Sequence, residues 1–136
     1  MKYFTLCVLL LMSCSSKSFE KDYYERITKI EFPNNYKIIA TADNGEFLTI
    51  TILDLDKSSC KDFIANNKFE PVDQTYPINL MGLNFLDSSF SHLPNSKSLL
   101  ERHVPKQEGK VGWTYLLDTT TFRLYCEIDY PDFAGN

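Results

Sequence analysis

The sequence predicts an α+β domain: an antiparallel sheet of four to five strands built from two hairpins, with one or two short helices packed on one face. Three observations carry this. Two β-rich runs flank Asn44-Gly45. A second pair of alternating runs flanks Asp118 to Thr121. Between the pairs, Cys60, Phe63 and Ile64 make a narrow apolar stripe at helical spacing.

Taken in order, Phe19 to Phe32 supports two readings. Phe19, Tyr23, Tyr24, Ile27 and Ile30 recur as on a helix, which Ser18 could cap, while Thr28, Ile30 and Phe32 alternate as in a strand. The balance favours a helix from about Glu20 passing into a strand near Thr28, ended by a turn at Pro33-Asn34-Asn35. Tyr36 to Ala42 and Phe47 to Leu53 then form the first hairpin, because Asn-Gly suits a type I′ turn in which both central residues take positive φ. A helix from about Lys57 to Asn66 follows, with Asp56 or Ser58 as its N-cap.

Lys68 to Leu93 is irregular and interrupted by Pro71 and Pro77. Its apolar patch, Leu80 to Leu86, reads either as a short buried strand or as an apolar flap. Asn95 to His103 suggests a second short helix ended before Pro105. In the second hairpin Val111, Trp113, Tyr115 and Leu117 alternate against Phe122, Leu124, Cys126 and Ile128. Gly112, Thr114, Arg123, Tyr125 and Glu127 fall on the opposite, wetter faces. Residues 23–136 thus form one globular domain.

The beginning of the chain has a different character. Lys2 precedes an apolar run from Tyr3 to Met12, followed by Ser13-Cys14-Ser15-Ser16. The run is shorter than the roughly 18 residues a membrane-crossing helix needs. It fits the apolar core of a secretory signal, about 7–15 residues behind a positive start.

Leu11, Met12 and Ser13 before Cys14 resemble the lipobox of bacterial membrane lipoproteins. Met12 departs from the pattern, which usually has a small or β-branched residue there. The resemblance covers residues 1–14 and implies a signal peptide at 1–13, cleavage before Cys14, a diacylglycerol on the Cys14 sulfur and a fatty acyl group, such as palmitate, on the new amine. Two or more chains hold stably where one does not, at about 0.8 kcal/mol per buried CH₂. Residues 14–22 become a lipidated tether. Ser15 stands where the inner-membrane retention signal of enteric bacteria places Asp, which implies the outer membrane, on its periplasmic or its surface face. No family resemblance covers the domain itself.

Composition narrows the partners. The chain carries a net charge of −4 with no basic cluster, which argues against nucleic acid. Aromatics make up 14% of residues, with eight Tyr and ten Phe. Tyr23, Tyr24, Tyr36, Tyr125 and Tyr130 are the candidate contact surface. Cys60 and Cys126 are the cysteines left in an oxidising compartment, where a disulfide between them is allowed. Both lie on apolar faces that point into one core, and a bond would be worth about 4 kcal/mol in the chain-entropy model. The alternative is two buried thiols.

Motifs for chemistry are few. His92 and His103 lack the tight ligand spacing of zinc sites. Asp54 and Asp56, with Asp129 and Asp132, would hold a cation only if the hairpin ends converged, and the calcium-loop glycine pattern is missing. The five glycines do not form a phosphate loop, a dinucleotide fingerprint or a nucleophile elbow. The sequence therefore assigns no catalytic residue, metal or cofactor. It points to a lipid-anchored binding module of the envelope: an inhibitor, an immunity-type protector or an accessory subunit. The alternative is a small envelope enzyme or ligand carrier with its site near residues 80–103.

Overall fold

The computed structural model describes residues 19–75 and 77–131. The signal and lipobox, Ser18 and Asp132 lie outside the described residues. The fold is α+β, as the sequence predicts, but the antiparallel sheet has six strands rather than four or five.

Helix α1 spans Lys21–Thr28 and buries Tyr24 and Thr28. Asp22 in its first turn and Arg26 in its last oppose the helix dipole. Glu20 takes the N-cap position without a side-chain bond. Phe19 is already buried in the core, so the folded domain takes in residues that the sequence had given to the tether. The helix stops at Lys29, in the left-handed region at φ 59°.

No strand follows. Ile30 and Phe32 alternate because each plugs the core singly. The backbone between them is held by side chains instead of a ladder. Thr28 Oγ1 accepts from the Ile30 N–H at 3.2 Å, Asn67 Oδ1 from Glu31 at 2.7 Å, and a Glu25 carboxylate oxygen from Phe32 at 2.8 Å.

Strands β1, Tyr36–Asp43, and β2, Leu48–Leu55, pair from Tyr36 opposite Leu55 to Asp43 opposite Thr49. A bulge interrupts β1 between Ile38 and Ala40. The hairpin is present, but its turn is not type I′. Gly45 has φ 77°, whereas Asn44 is not among the residues with positive φ. Asn44 uses its side chain: Oδ1 accepts from the N–H groups of Glu46, Phe47 and Leu48, at 3.1, 3.0 and 2.9 Å. That bonding closes a longer loop than a two-residue turn.

Helix α2 spans Lys57–Asn67 and is capped by Asp56, which accepts from Ser59 N at 2.8 Å and from both serine hydroxyls. These bonds favour the ionised carboxylate and lower its pKa to about 2. Cys60 and Phe63 of the predicted stripe are buried and Ile64 packs beside them.

Strand β3 is the pair Glu70–Pro71; β4 is Leu99–Val104, β5 Gly112–Asp118 and β6 Arg123–Asp129. The sheet runs β1-β2-β6-β5-β4-β3. The helix expected over Asn95–His103 is one 3₁₀ turn, Ser96–Ser98, followed by β4. Pairing along β5, from Leu99 opposite Asp118 to Val104 opposite Trp113, overrides the local helical preference. Leu99 and Leu100 also pack on opposite sides of the sheet, as a strand allows and a helix does not.

Each face of the sheet carries its own core. On one, α1 and α2 cover Leu53, Leu55, Trp113, Tyr115, Leu117, Leu124, Cys126 and Ile128. On the other, Leu80 and Leu83 lead a cover over Ile50, Ile52, Leu116 and Tyr125, helped by Ile78, Leu86, Phe90 and Leu93. The Leu80–Leu86 segment is neither strand nor loose flap. Residues Met81–Phe85 form a 3₁₀ turn pressed onto the sheet. Its cover explains why Tyr125 and Glu127, expected on wetter faces, are buried, whereas Gly112 is buried by the backbone of Lys106.

The turn seats on the sheet through Gly82. A Cβ there would stand 2.6 Å from Ile50 Cβ and 2.9 Å from Leu48 Cδ2. Gly82→Ala should destabilise the domain by about 1–3 kcal/mol through overpacking. Chemical denaturation that gave an unchanged midpoint would show that the turn can lift freely from the sheet.

Candidate functional site

The five candidate tyrosines do not share a surface. Tyr24 is buried, its hydroxyl 3.1 Å from Thr51 Oγ1 and 3.5 Å from Thr49 Oγ1. Tyr23 and Tyr130 are half-buried, their hydroxyls 2.8 Å apart. Tyr36 is half-buried with its ring centroid 5.4 Å from that of Phe19. These four belong to the helix-covered core, whereas Tyr125 is buried on the opposite face. Burial raises the pKa of Tyr24 and Tyr125. Burial and then the Tyr23 hydroxyl raise that of Tyr130 further. Only Tyr23 and Tyr24 stand on a helix, with Tyr36 in β1, Tyr125 in β6 and Tyr130 just after it, and the spacing of such rings along the chain suits a core as well as a surface.

The acids do not converge either. Asp54 holds Arg123 in a two-pronged pair, at 2.7 and 3.0 Å. Asp56 caps α2. Asp129 pairs with Lys106 at 3.1 Å. On β2, Asp54 stands opposite Arg123 while Leu48 stands opposite Asp129. The two acids therefore sit at opposite ends of the strand, about 20 Å apart at the usual rise per residue.

His92 and His103 are both exposed; His92 Nδ1 lies 2.6 Å from Ser91 Oγ, and His103 Nδ1 lies 3.6 Å from the Glu101 carboxylate. Among the described residues there is no group of three His, Cys, Asp or Glu side chains that could hold a metal ion.

Cys60 and Cys126 are free thiols, both buried in the helix-side core. Of the two outcomes that the sequence left open, a bond or two buried thiols, the structure has the thiols, and both share the one core as expected. Burial raises both pKa values, that of Cys126 strongly, which suppresses the reactive thiolate. Alkylation should therefore spare both in the folded protein and label both after unfolding without reductant. Protection that persisted after unfolding would restore the disulfide.

The feature that the sequence did not flag is the anchorage of the Met81–Phe85 turn. Glu127 is buried in β6 and accepts the Gly82 N–H at 2.7 Å. Burial raises its pKa, partly offset by the bonds from Gly82 and Met81. A single acid within the apolar run Leu124–Ile128 was the available signal. Above this pin the turn presents Met81, 44% exposed, and Phe85, 50% exposed. On the same face of the sheet lies an open groove of about 480 Å³, lined among the described residues by Gln74, Thr75, Pro77, Ile78, Leu93, Pro94, Ser96 and Leu99.

No protein-family model matches the chain, and no curated protein or solved structure matches it either.

Glu127 gives a signed pH test. Its folded pKa lies above the ordinary 4.5, so its contribution to stability is full below that value and is lost as pH rises through the folded pKa. Relative to the unchanged protein, Glu127→Gln should gain in melting temperature as pH rises from 4.5 toward neutrality. A difference that is flat across that range would remove the raised pKa.

Proposed function

We propose that the protein is a lipid-anchored component of the bacterial envelope that binds another protein, as an inhibitor, an immunity-type protector or an accessory subunit. The observation that carries this reading is the pair Met81 and Phe85. Both are large, apolar and exposed, and both stand on a turn already fixed from below by Glu127 and by the close seat of Gly82. Side chains on a fixed backbone lose less freedom on association, so more of their burial energy is available for binding. This turn replaces the five tyrosines as the contact surface.

The anchor argument concerns Cys14. Residues 15–18 separate it from Phe19, which is buried in the domain. A chain of that length reaches at most about 18 Å. A lipid on Cys14 would therefore keep the domain beside the membrane, where its partner would be met.

The open groove favours a second reading, as a carrier for a small ligand. Among the described residues its lining contains no histidine or acid. This fits carriage better than the enzyme half of the sequence alternative.

Pull-down of the lipidated protein from its own membranes, with mass spectrometry of what accompanies it, tests the binding reading. A specific envelope protein should come down and should be lost on Phe85→Ser combined with Met81→Ser. Retention of the same partner by that variant would move the contact elsewhere. Intact mass should show acyl chains on the protein and none on Cys14→Ser, which should also remain uncleaved. Absence of acyl chains on the unchanged protein would overturn the anchor.

A further inference from the structure

The hairpin between β1 and β2 gathers several polar groups around Asn44 and Gly45. Asn44 Oδ1 receives three backbone N–H groups, those of Glu46, Phe47 and Leu48. The adjoining Gly45 N–H donates to Asp43 Oδ1 at 2.6 Å. Gly45 is exposed, and a Cβ built on it would meet nothing within 4 Å.

We propose that Asn44-Gly45 is a self-modification site, where the fold promotes ring closure of the asparagine side chain onto the Gly45 nitrogen, followed by hydrolysis to aspartate or isoaspartate. Each group has a place in that chemistry. The nucleophile is the Gly45 amide nitrogen, which must lose its proton, and the Asp43 carboxylate already accepts that N–H. The electrophile is Asn44 Cγ. As the nitrogen adds to it, negative charge develops on Oδ1, and the three amide donors there stabilise that charge as an oxyanion hole does. Glycine leaves the approach to the nitrogen open, where any other side chain would crowd it.

The balance is complete without an outside reductant or oxidant. The Gly45 nitrogen gives its proton to Asp43 and bonds to Asn44 Cγ. The bond from Cγ to the side-chain nitrogen breaks, and that nitrogen leaves as ammonia after taking the proton back. The product is a succinimide. Water then adds at one of its two carbonyls. Opening at the side-chain carbonyl gives aspartate, with the main chain unchanged. Opening at the main-chain carbonyl gives isoaspartate, with one extra methylene in the main chain.

The two products affect the hairpin differently. Aspartate keeps an oxygen for the three amides and adds a negative charge, so the loop is retained. Isoaspartate lengthens the backbone at the point that sets the reach to Leu48, so the three bonds cannot all re-form. The tip, which already carries Asp43 and Glu46, becomes more acidic in either case.

The experiment incubates purified full-length protein at mildly alkaline pH and maps its peptides by mass spectrometry, in water enriched in heavy oxygen. The same protein unfolded in urea at the same pH serves as the reference, and Asn34, Asn35, Asn66 and Asn84 serve as internal controls. Conversion at position 44 should carry the label, exceed that at the control asparagines, and run at least about tenfold faster in the folded chain than in the unfolded one. Asp43→Asn should slow the folded rate by a similar factor, with circular dichroism confirming its fold. Conversion no faster in the folded chain than in urea overturns the proposal, because the three bonds would then be protecting the side chain. An unchanged rate in a folded Asp43→Asn variant overturns it as well. If that variant does not fold, the comparison of folded with unfolded protein decides alone.

Discussion

The pairing of β2 with β6 is the constraint on which the rest depends. It joins the two hairpins, from Leu48 opposite Asp129 to Asp54 opposite Arg123, and makes both strands interior to the sheet. A middle strand in this position has no wet side. Thr49 and Thr51 face α1, where they meet the Tyr24 hydroxyl, and Ile50 lies under the turn at Gly82. Each face therefore needs a cover. The helices supply one, and the long irregular stretch between α2 and β4 supplies the other.

That second cover has little regular structure because it does not need any. Its backbone is short of ladder partners, and side chains take up the role. Glu127 reaches out of the sheet to the Gly82 amide, Asp87 accepts from Ser89 N, and Asn95 accepts from Lys97 N. A carboxylate under an otherwise apolar cover is costly to bury, and the amides that it receives are what make it tolerable. The cost falls on β6, the strand that joins β2 to β5.

Legibility in the sequence followed the range of the interactions. Both hairpins and α2 with its Asp56 cap are set by neighbours along the chain, and their residues announce them. Strand β4 is not, because its pairing with β5 is settled by residues some distance away, and Leu99-Leu100-Glu101 reads locally as helix. Phe32 looked like part of a strand because alternation cannot distinguish a ladder from two separate plugs. The tyrosines failed as a surface for a related reason: Tyr125 alternates correctly for a wet face, and Val72, Leu80 and Leu83 of the irregular stretch pack with it into a core. Met81 and Phe85 were within a recognised apolar patch, yet their exposure depends on Gly82 being the residue that sits down on the sheet. The Asn44-Gly45 pair was visible as a turn, but the loop chemistry around it depends on where Asp43 and the three amides point.

The wide separation of β2 and β6 in sequence also governs how the domain comes into being. Each hairpin closes over a few residues, but the seam between them must bring Leu48 to Asp129 across most of the domain. Closing so long a loop is costly in entropy and is repaid only when the seam forms. Until residue 129 is available, β2 lacks its second ladder partner and the sheet cannot join its two hairpins. A chain delivered from one end therefore stays pliable until nearly its last strand has arrived.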